Sequence, residues 1–502
     1  MKVFCFTLTI LCIVQSILAI PRPDFGLNGA VYGSGTLNNA ATDLDTESTK
    51  IGAYSVTLTS GYTLLTTISD ALTAIGDDIT TAAKDLATQL NTFSDDGSGQ
   101  VTAAFDAVSA KITAYKTLVN GAFGGNIASI STNTGQQFIE NQLKDAFKAV
   151  TGTLDNLSGK LALLKTEVNN AKTNGGSGAT VSSAVVRRYV NARTVNDVTV
   201  QIRNLKSNTP LMTFVINSAL DNLKMVDDFI IDLKAGVDDS ITLYDTTYDA
   251  FSLNLQTEAE DINTALTIGV GSSAVIKLTS IQSTLDGIAE YTSDLAPKIA
   301  QLNTAVTDTV TAKKADITTA FATYATNANT LIPDLKASLG NMLCKPIQSV
   351  SIVQIVNHGY SDFCFSKYSP RVYAQIALTI DAFDVCFMTE ISRLISLVTV
   401  IEKIGVQISY DTEDLYDNLN GCLSLPVSAQ GSCFTAIAPY YQVVAAKAAA
   451  NLATATSLVT AETTASYNRL GSCLYASLYV TALSATEIVT AAEGCLTTGP
   501  QP

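Results

Sequence analysis

One histidine, no tryptophan and 7% aromatic residues leave this 502-residue sequence little of what enzyme active sites are usually built from. A Ser-His-Asp or Cys-His arrangement would have to use His358, in VNHGYSD, next to Ser361, Asp362 and Cys364. Proximity along the chain does not supply the geometry such sites need, and a plain surface histidine is the simpler reading. A His-rich zinc site is excluded by count, and no two cysteines have Cys-x-x-Cys spacing. Basic residues are also scarce. Thirty Lys and Arg against 45 Asp and Glu give a net charge of −15, which argues against binding to a phosphate backbone. The only arginine pair, Arg187-Arg188, reads as an exposed helix face rather than a processing site. Beyond the N-terminus no run of 18 uninterrupted apolar residues occurs, so no later transmembrane segment is expected.

The acidic residues do not assemble a site in the sequence either. Asp77-Asp78, Asp95-Asp96, Asp227-Asp228 and Asp238-Asp239 are neighbours, and adjacent residues on a helix point about 100° apart, so these pairs read as solvated faces. SDDGSGQ has the look of a calcium loop, but counting from Asp95 puts Gly97 at position three and Asp106 at twelve. GVGSS at 269–273 has neither a preceding strand nor the third glycine of a dinucleotide site. No cofactor is implied, and the chain is expected not to be an enzyme.

What is present is an N-terminal MKVFCFTLTILCIVQSILA, with Lys2, an apolar run from Val3 to Val14 and Ala19 at the cleavage position. This has the pattern of a secretory signal over 1–19, too short in its apolar part to span a bilayer. A secreted, extracellular protein is expected. Downstream, apolar residues fall at alternating three- and four-residue spacing: Leu65, Ile68, Leu72, Ile75, Ile79, Ala82, Leu86 and Phe93, then Ile216, Leu220, Leu223, Ile230, Leu233, Val237, Ile241, Tyr244, Tyr248 and Phe251. These are helical seams of coiled-coil type. Glycine-rich breaks at 95–99, 121–126, 174–178 and 269–273 read as turns between them. Thr and Asn weaken helix propensity by a few tenths of a kcal/mol each, so the seams must supply the stability through burial. The expectation is an all-α chain: helical regions over 20–175 and 176–345, forming an elongated bundle or stalk, then a Cys-rich helical hairpin over 346–502. Asn156-Leu157-Ser158 is a candidate N-glycosylation sequon.

Cys5 and Cys12 fall in the leader, leaving Cys344, Cys364, Cys386, Cys422, Cys433, Cys473 and Cys495. The last six are spaced 22, 36, 11, 40 and 22 residues apart. That near-mirror symmetry is what two antiparallel helices would give, and 22, 36 and 40 are each close to whole numbers of turns at about 3.6 residues per turn. The bridges expected are Cys364–Cys495, Cys386–Cys473 and Cys422–Cys433, on arms near 371–420 and 439–494, with Pro439 starting the second arm one turn late. Ile380, Phe383, Phe387, Ile391, Leu394, Val398 and Ile401 form the first arm's seam, facing a second arm of mostly small residues. Cys344, in NMLCKPIQS, is left over. It reads either as a buried free thiol or as the site of an intermolecular disulfide linking a homodimer, at a hinge made by Pro346.

The pattern Cys364-Phe365 with Tyr368 and Pro370, then Cys386, Cys422, Cys433-Phe434, Cys473 and Cys495-Leu496 resembles the TsetseEP domain of secreted insect proteins over about 360–497. That resemblance implies extracellular insect biology without an established catalytic activity. Two readings of different class follow. One is a structural or interaction protein that binds an extracellular protein or surface partner through helical faces, in a gut lumen or another fluid. The other is a helical-bundle carrier of an apolar small molecule such as a lipid. An apolar internal cavity would favour the carrier, and continuous seams without a void the interaction protein.

Overall fold

The computed structural model describes residues 24–176, 180–271 and 281–499. The leader expected over 1–19 lies outside them, as do parts of the glycine-rich breaks at 174–178 and 269–273. Helix makes up 88% of the structure, and no strand occurs among the described residues. The helices are α1 (Ser34–Ser48), α2 (Thr63–Ser94), α3 (Val101–Thr117), α4 (Gly124–Thr134), α5 (Phe138–Asn174), α6 (Ser183–Tyr189), α7 (Ala192–Gly271), α8 (Ala296–Asn303), α9 (Thr309–Ile355), α10 (Ser361–Leu423) and α11 (Val427–Thr498). Wide π-type turns lie at Leu118–Ala122, Tyr291–Leu295 and Thr304–Asp308.

Two compact units are drawn from separate stretches of chain rather than from three consecutive segments. One comprises the described residues of Met1–Asp232, Gln348–Ser369 and Ala491–Pro502, the other Leu233–Ile347 and Pro370–Thr490. The reason is helix length: α7, α9, α10 and α11 each contribute residues to both.

In the first unit, α2 buries Leu65, Ile68, Leu72, Ile75, Ile79, Ala83, Leu86, Leu90 and Phe93. The seam advances by four at Ile79 to Ala83, so Ala83 and Leu90 replace the expected Ala82 and the interrupting Gln89. A straight helix of 3.6 residues per turn drifts against a strict heptad, and the extra four-step corrects that drift. Phe93 anchors this core between Phe25 at 4.9 Å and Phe105 at 4.6 Å. One acid pair departs from the expectation of a solvated face. Asp228 is exposed and pairs with Lys224, but Asp227 is fully buried, and its carboxylate accepts hydrogen bonds from the Thr59 amide at 2.9 Å and the Ser60 amide at 2.8 Å. The segment ahead of α2 is thereby tied to α7. Burial alone would raise the Asp227 pKa; the Ser60 hydroxyl, the two amides and Lys224 outweigh it and hold the carboxyl below its ordinary 3.8. A lowered folded pKa gives stability above the unfolded value that is lost as pH falls through the folded one. Asp227→Asn is therefore expected to cost about 1–3 kcal/mol at neutral pH. Urea unfolding should show that gap closing once the pH drops below 3.8, and a gap unchanged by acid would contradict the assignment.

In the second unit, Phe383 and Phe387 of α10 pack on Tyr244 and Phe251 of α7, with Phe387 and Phe251 centroids 4.9 Å apart, and Phe251 meets Tyr324 of α9 edge-on at 5.6 Å. The α10 seam thus feeds a core shared with α7, α9 and α11 rather than a two-helix coil. Over 443–467 α11 contributes mainly small residues, Ala445, Ala448, Ala455, Thr463 and Ser466, with Leu452 and Val459, which lets the larger rings approach closely.

Candidate functional site

His358 occupies the turn between α9 and α10 rather than an open surface. Its ring is half-buried against Phe138 at 4.5 Å, and Nδ1 accepts a hydrogen bond from the Tyr360 amide at 3.3 Å. The Ser361 hydroxyl accepts from the His358 amide and donates to the Val353 carbonyl at 2.6 Å, so its proton is committed to the turn. Asn357, at φ 54°, uses the left-handed conformation that asparagine tolerates, and its amide bonds Gln142 and Ser218. This cluster ties a turn. Among the described residues, no group of three or more His, Cys, Asp or Glu side chains is placed to hold a metal ion. Arg187 and Arg188 are exposed on α6, and Asn156 is exposed midway along α5.

Cys344 is a free, exposed thiol on α9. The expected hinge is absent, because α9 continues through both Pro333 and Pro346. A proline removes one backbone donor and disfavours helix at the preceding residue, and here the burial of Leu343 and Val350 outweighs that penalty.

The six remaining cysteines form Cys364–Cys495 in the first unit, and Cys386–Cys473 and Cys422–Cys433 in the second, which are the pairs selected by the mirror spacing. α10 and α11 are antiparallel and joined at 424–426. Both arms are longer than expected. Pro426 precedes the first residue of α11, and Pro439 lies inside that helix, where buried Phe434, Ala438 and Tyr441 keep the early turns folded. Three disulfides suit an oxidising, extracellular setting.

The register between the arms in the second unit is fixed by more than sulfur. The Glu390 carboxylate, buried on α10, pairs with Arg393 and with Arg469 of α11 at 3.0 Å, and accepts from the Ser466 hydroxyl at 2.7 Å. Arg469 also reaches Glu462 at 2.5 Å, and Ser466 meets the Tyr324 hydroxyl at 3.0 Å. The hydrogen bonds that Arg469 donates to Glu390, and then to Glu462, raise its pKa. A buried charge with this many partners tolerates little sliding between helices.

These contacts also define which side of the hairpin is open. On α10, Thr379, Cys386 and Glu390 meet α11, while Ile380, Phe383 and Phe387 enter the core. Leu378, Val385, Met388 and Ile395 fall on the remaining side at spacings of seven, three and seven, and all are exposed. On α11, Ser466, Cys473 and Thr481 meet α10, and Leu470, Leu474 and Leu478 are buried. The side left over carries exposed Tyr475, Tyr479, Val480 and Leu483. On both helices these exposed side chains are turned away from the partner arm and from the core. Because residue 386 stands opposite 473, the stretch 378–400 lies level with 459–481. From Leu470 to Thr486 α11 has no charged residue. It is also the one described helix long and apolar enough to cross a membrane by length and composition, although only 33% of its most apolar window is buried.

These stripes were not singled out in the sequence, where the buried seam three residues away dominates the pattern. The signal that could have found it is the second seven-residue apolar spacing on α10, together with the missing charge on α11.

An apolar cleft of about 60 Å³ lies in the same unit, between Val237, Ile241, Tyr244, Leu335, Leu339 and Ile376. A larger hollow of 730 Å³ in the first unit, at Tyr32 and residues 186–192, is an open depression edged by Arg187 and Arg188. No family model, no curated protein and no solved structure matches this chain.

Proposed function

We propose that this chain is a secreted, non-enzymatic structural or interaction protein, of the insect family its six cysteines resemble, that binds an extracellular partner through helical faces. The observation that carries this reading is the row of exposed large apolar side chains along each arm of the disulfide-bridged hairpin. Exposed apolar residues scattered singly are ordinary, but Leu378, Val385, Met388 and Ile395 recur on the solvent side of one helix. The carrier alternative finds less support, since the apolar cleft of 60 Å³ falls well short of the roughly 300–1,000 Å³ of ordinary ligand pockets. Exposed Cys344 is available for a disulfide to a second molecule. Mass spectrometry of the full chain without reductant tests these points together. Under native conditions the expected mass has no bound lipid, and under denaturing conditions a fraction of the chain is a covalent dimer that Cys344→Ser abolishes. Stoichiometric lipid would overturn the interaction reading in favour of the carrier, and a purely monomeric denatured mass would remove Cys344 as a link.

A further inference from the structure

Resting on the reading of a non-enzymatic interaction protein, we infer that the depression at Tyr32 and residues 186–192 of the first unit is a docking site, and that its occupant is an acidic segment of a partner protein. The first argument is the distribution of charge. Between Asp155 and Asp221 eight of the ten charged residues are Lys or Arg, in a chain of net charge −15. Lys160, Lys165 and Lys206 are neutralised by Asp197, Asp106 and Asp43. Arg187, Arg188 and Arg193 are exposed and enter no ion pair among the described residues. Two carboxylates bond residues of the depression's walls, and both are engaged. Glu167 accepts from the Asn191 amide at 2.9 Å and the Thr194 hydroxyl at 2.8 Å, and buried Asp24 accepts from the Val31 amide at 2.7 Å.

The second argument is the lining. The Val181 amide bonds the Asn28 carbonyl at 2.7 Å, which lays the chain at 28–32 alongside the start of α6, and the Ser182 hydroxyl caps that helix by accepting from the Val185 amide. The walls are thus built by the fold itself. Val31, Val186 and Val190 are buried and make an apolar floor, while Arg187, Arg188 and Tyr32, which is 82% exposed, stand around it. The Arg188 guanidinium lies over the Tyr189 ring, 5.7 Å from its centroid. A guanidinium held on a ring face keeps its edge free for two parallel hydrogen bonds to a carboxylate.

The third argument selects the occupant. An open hollow of 730 Å³ is far larger than a single inorganic anion needs, and its cations ring an apolar floor instead of converging on one point. An acidic peptide satisfies both parts, with carboxylates on the arginine rim and an apolar side chain on the valines. Tyr and Arg are also the residue types that most often carry the binding energy of protein interfaces. A sulfated polysaccharide offers anions to the rim but nothing apolar to the floor.

Fluorescence anisotropy of the full chain with a fluorescein-labelled peptide of repeated Glu-Leu-Glu units tests the inference. The expected result is binding that weakens about tenfold in Arg187→Ala and in Arg188→Ala. Arg203→Ala, at an exposed arginine of α7 outside the depression, should leave it unchanged. Tyr32→Ala alters no charge and should still weaken binding several-fold, and a matched Gln-Leu-Gln peptide should not bind. A chain that ignores the acidic peptide overturns the inference. So does binding that falls equally in Arg203→Ala, which is diffuse attraction and not a site. Heparin bound through Arg187 and Arg188 in place of the peptide overturns it as well, and gives the depression to a sulfated polysaccharide. None of these results touches the exposed stripes of the hairpin, so the interaction reading is then decided separately, by whether the native mass carries lipid.

Discussion

Replacing Phe387 by Ala is expected to destabilise the second unit by about 3–5 kcal/mol, the range for emptying a buried aromatic site. The ring is 2% exposed, and its neighbours come from more than one helix: Phe251 at 4.9 Å, Tyr244 at 6.0 Å and Tyr248 at 6.4 Å. Removing it leaves a void lined by rings fixed on α7, and α10 cannot collapse into that void while Cys386 and Glu390 hold it in register against α11. Hydrogen exchange of the α10 amides reads the loss in this unit directly. Leu253→Ala, at an exposed apolar position, is the contrast and should stay within about 0.5 kcal/mol of the wild type. A Phe387→Ala protein that loses less than about 1 kcal/mol would mean the seam is not the load it is taken to be.

Removing the Cys386–Cys473 bridge with paired alanine substitutions is expected to cost about 2–4 kcal/mol. The bridge closes a sequence separation of 87 residues, but Cys422–Cys433 nested inside it already restricts the unfolded chain, so the full loop length overstates the effect. The Glu390 network survives the substitution, so the arms should stay in register and the helix content should be unchanged at neutral pH. Urea midpoints of the two proteins, with and without reductant, check this. Reductant should lower the wild type toward the variant, and equal stability of the two in the oxidised state would contradict the assigned contribution.

Helix, seam and bridge were legible in the sequence because each has a period. The 3/4 spacing identified α2, α7 and α10, and the repeated 22-residue interval chose the disulfide pairs. What was not legible depends on contacts between distant segments. Nothing local distinguishes Asp227 from Asp228, and only the return of Thr59 and Ser60 buries one and leaves the other in water. Pro346 and Pro439 read as helix boundaries because local preference opposes them, and packing overrode that preference at both. His358 looked like a surface residue because Phe138, which covers it, is far away in sequence. The exposed stripes were hidden for a related reason. An exposed apolar residue and a buried one look the same until the neighbouring helix shows which side is taken.

That argument rests on register, and non-reducing peptide mapping of the full chain tests it most directly. The account predicts linked peptides joining Cys364 to Cys495, Cys386 to Cys473 and Cys422 to Cys433, with Cys344 outside all three. A peptide joining Cys364 to Cys386 would contradict it, because 22 residues of one helix hold those thiols about 33 Å apart, and the antiparallel register would not exist.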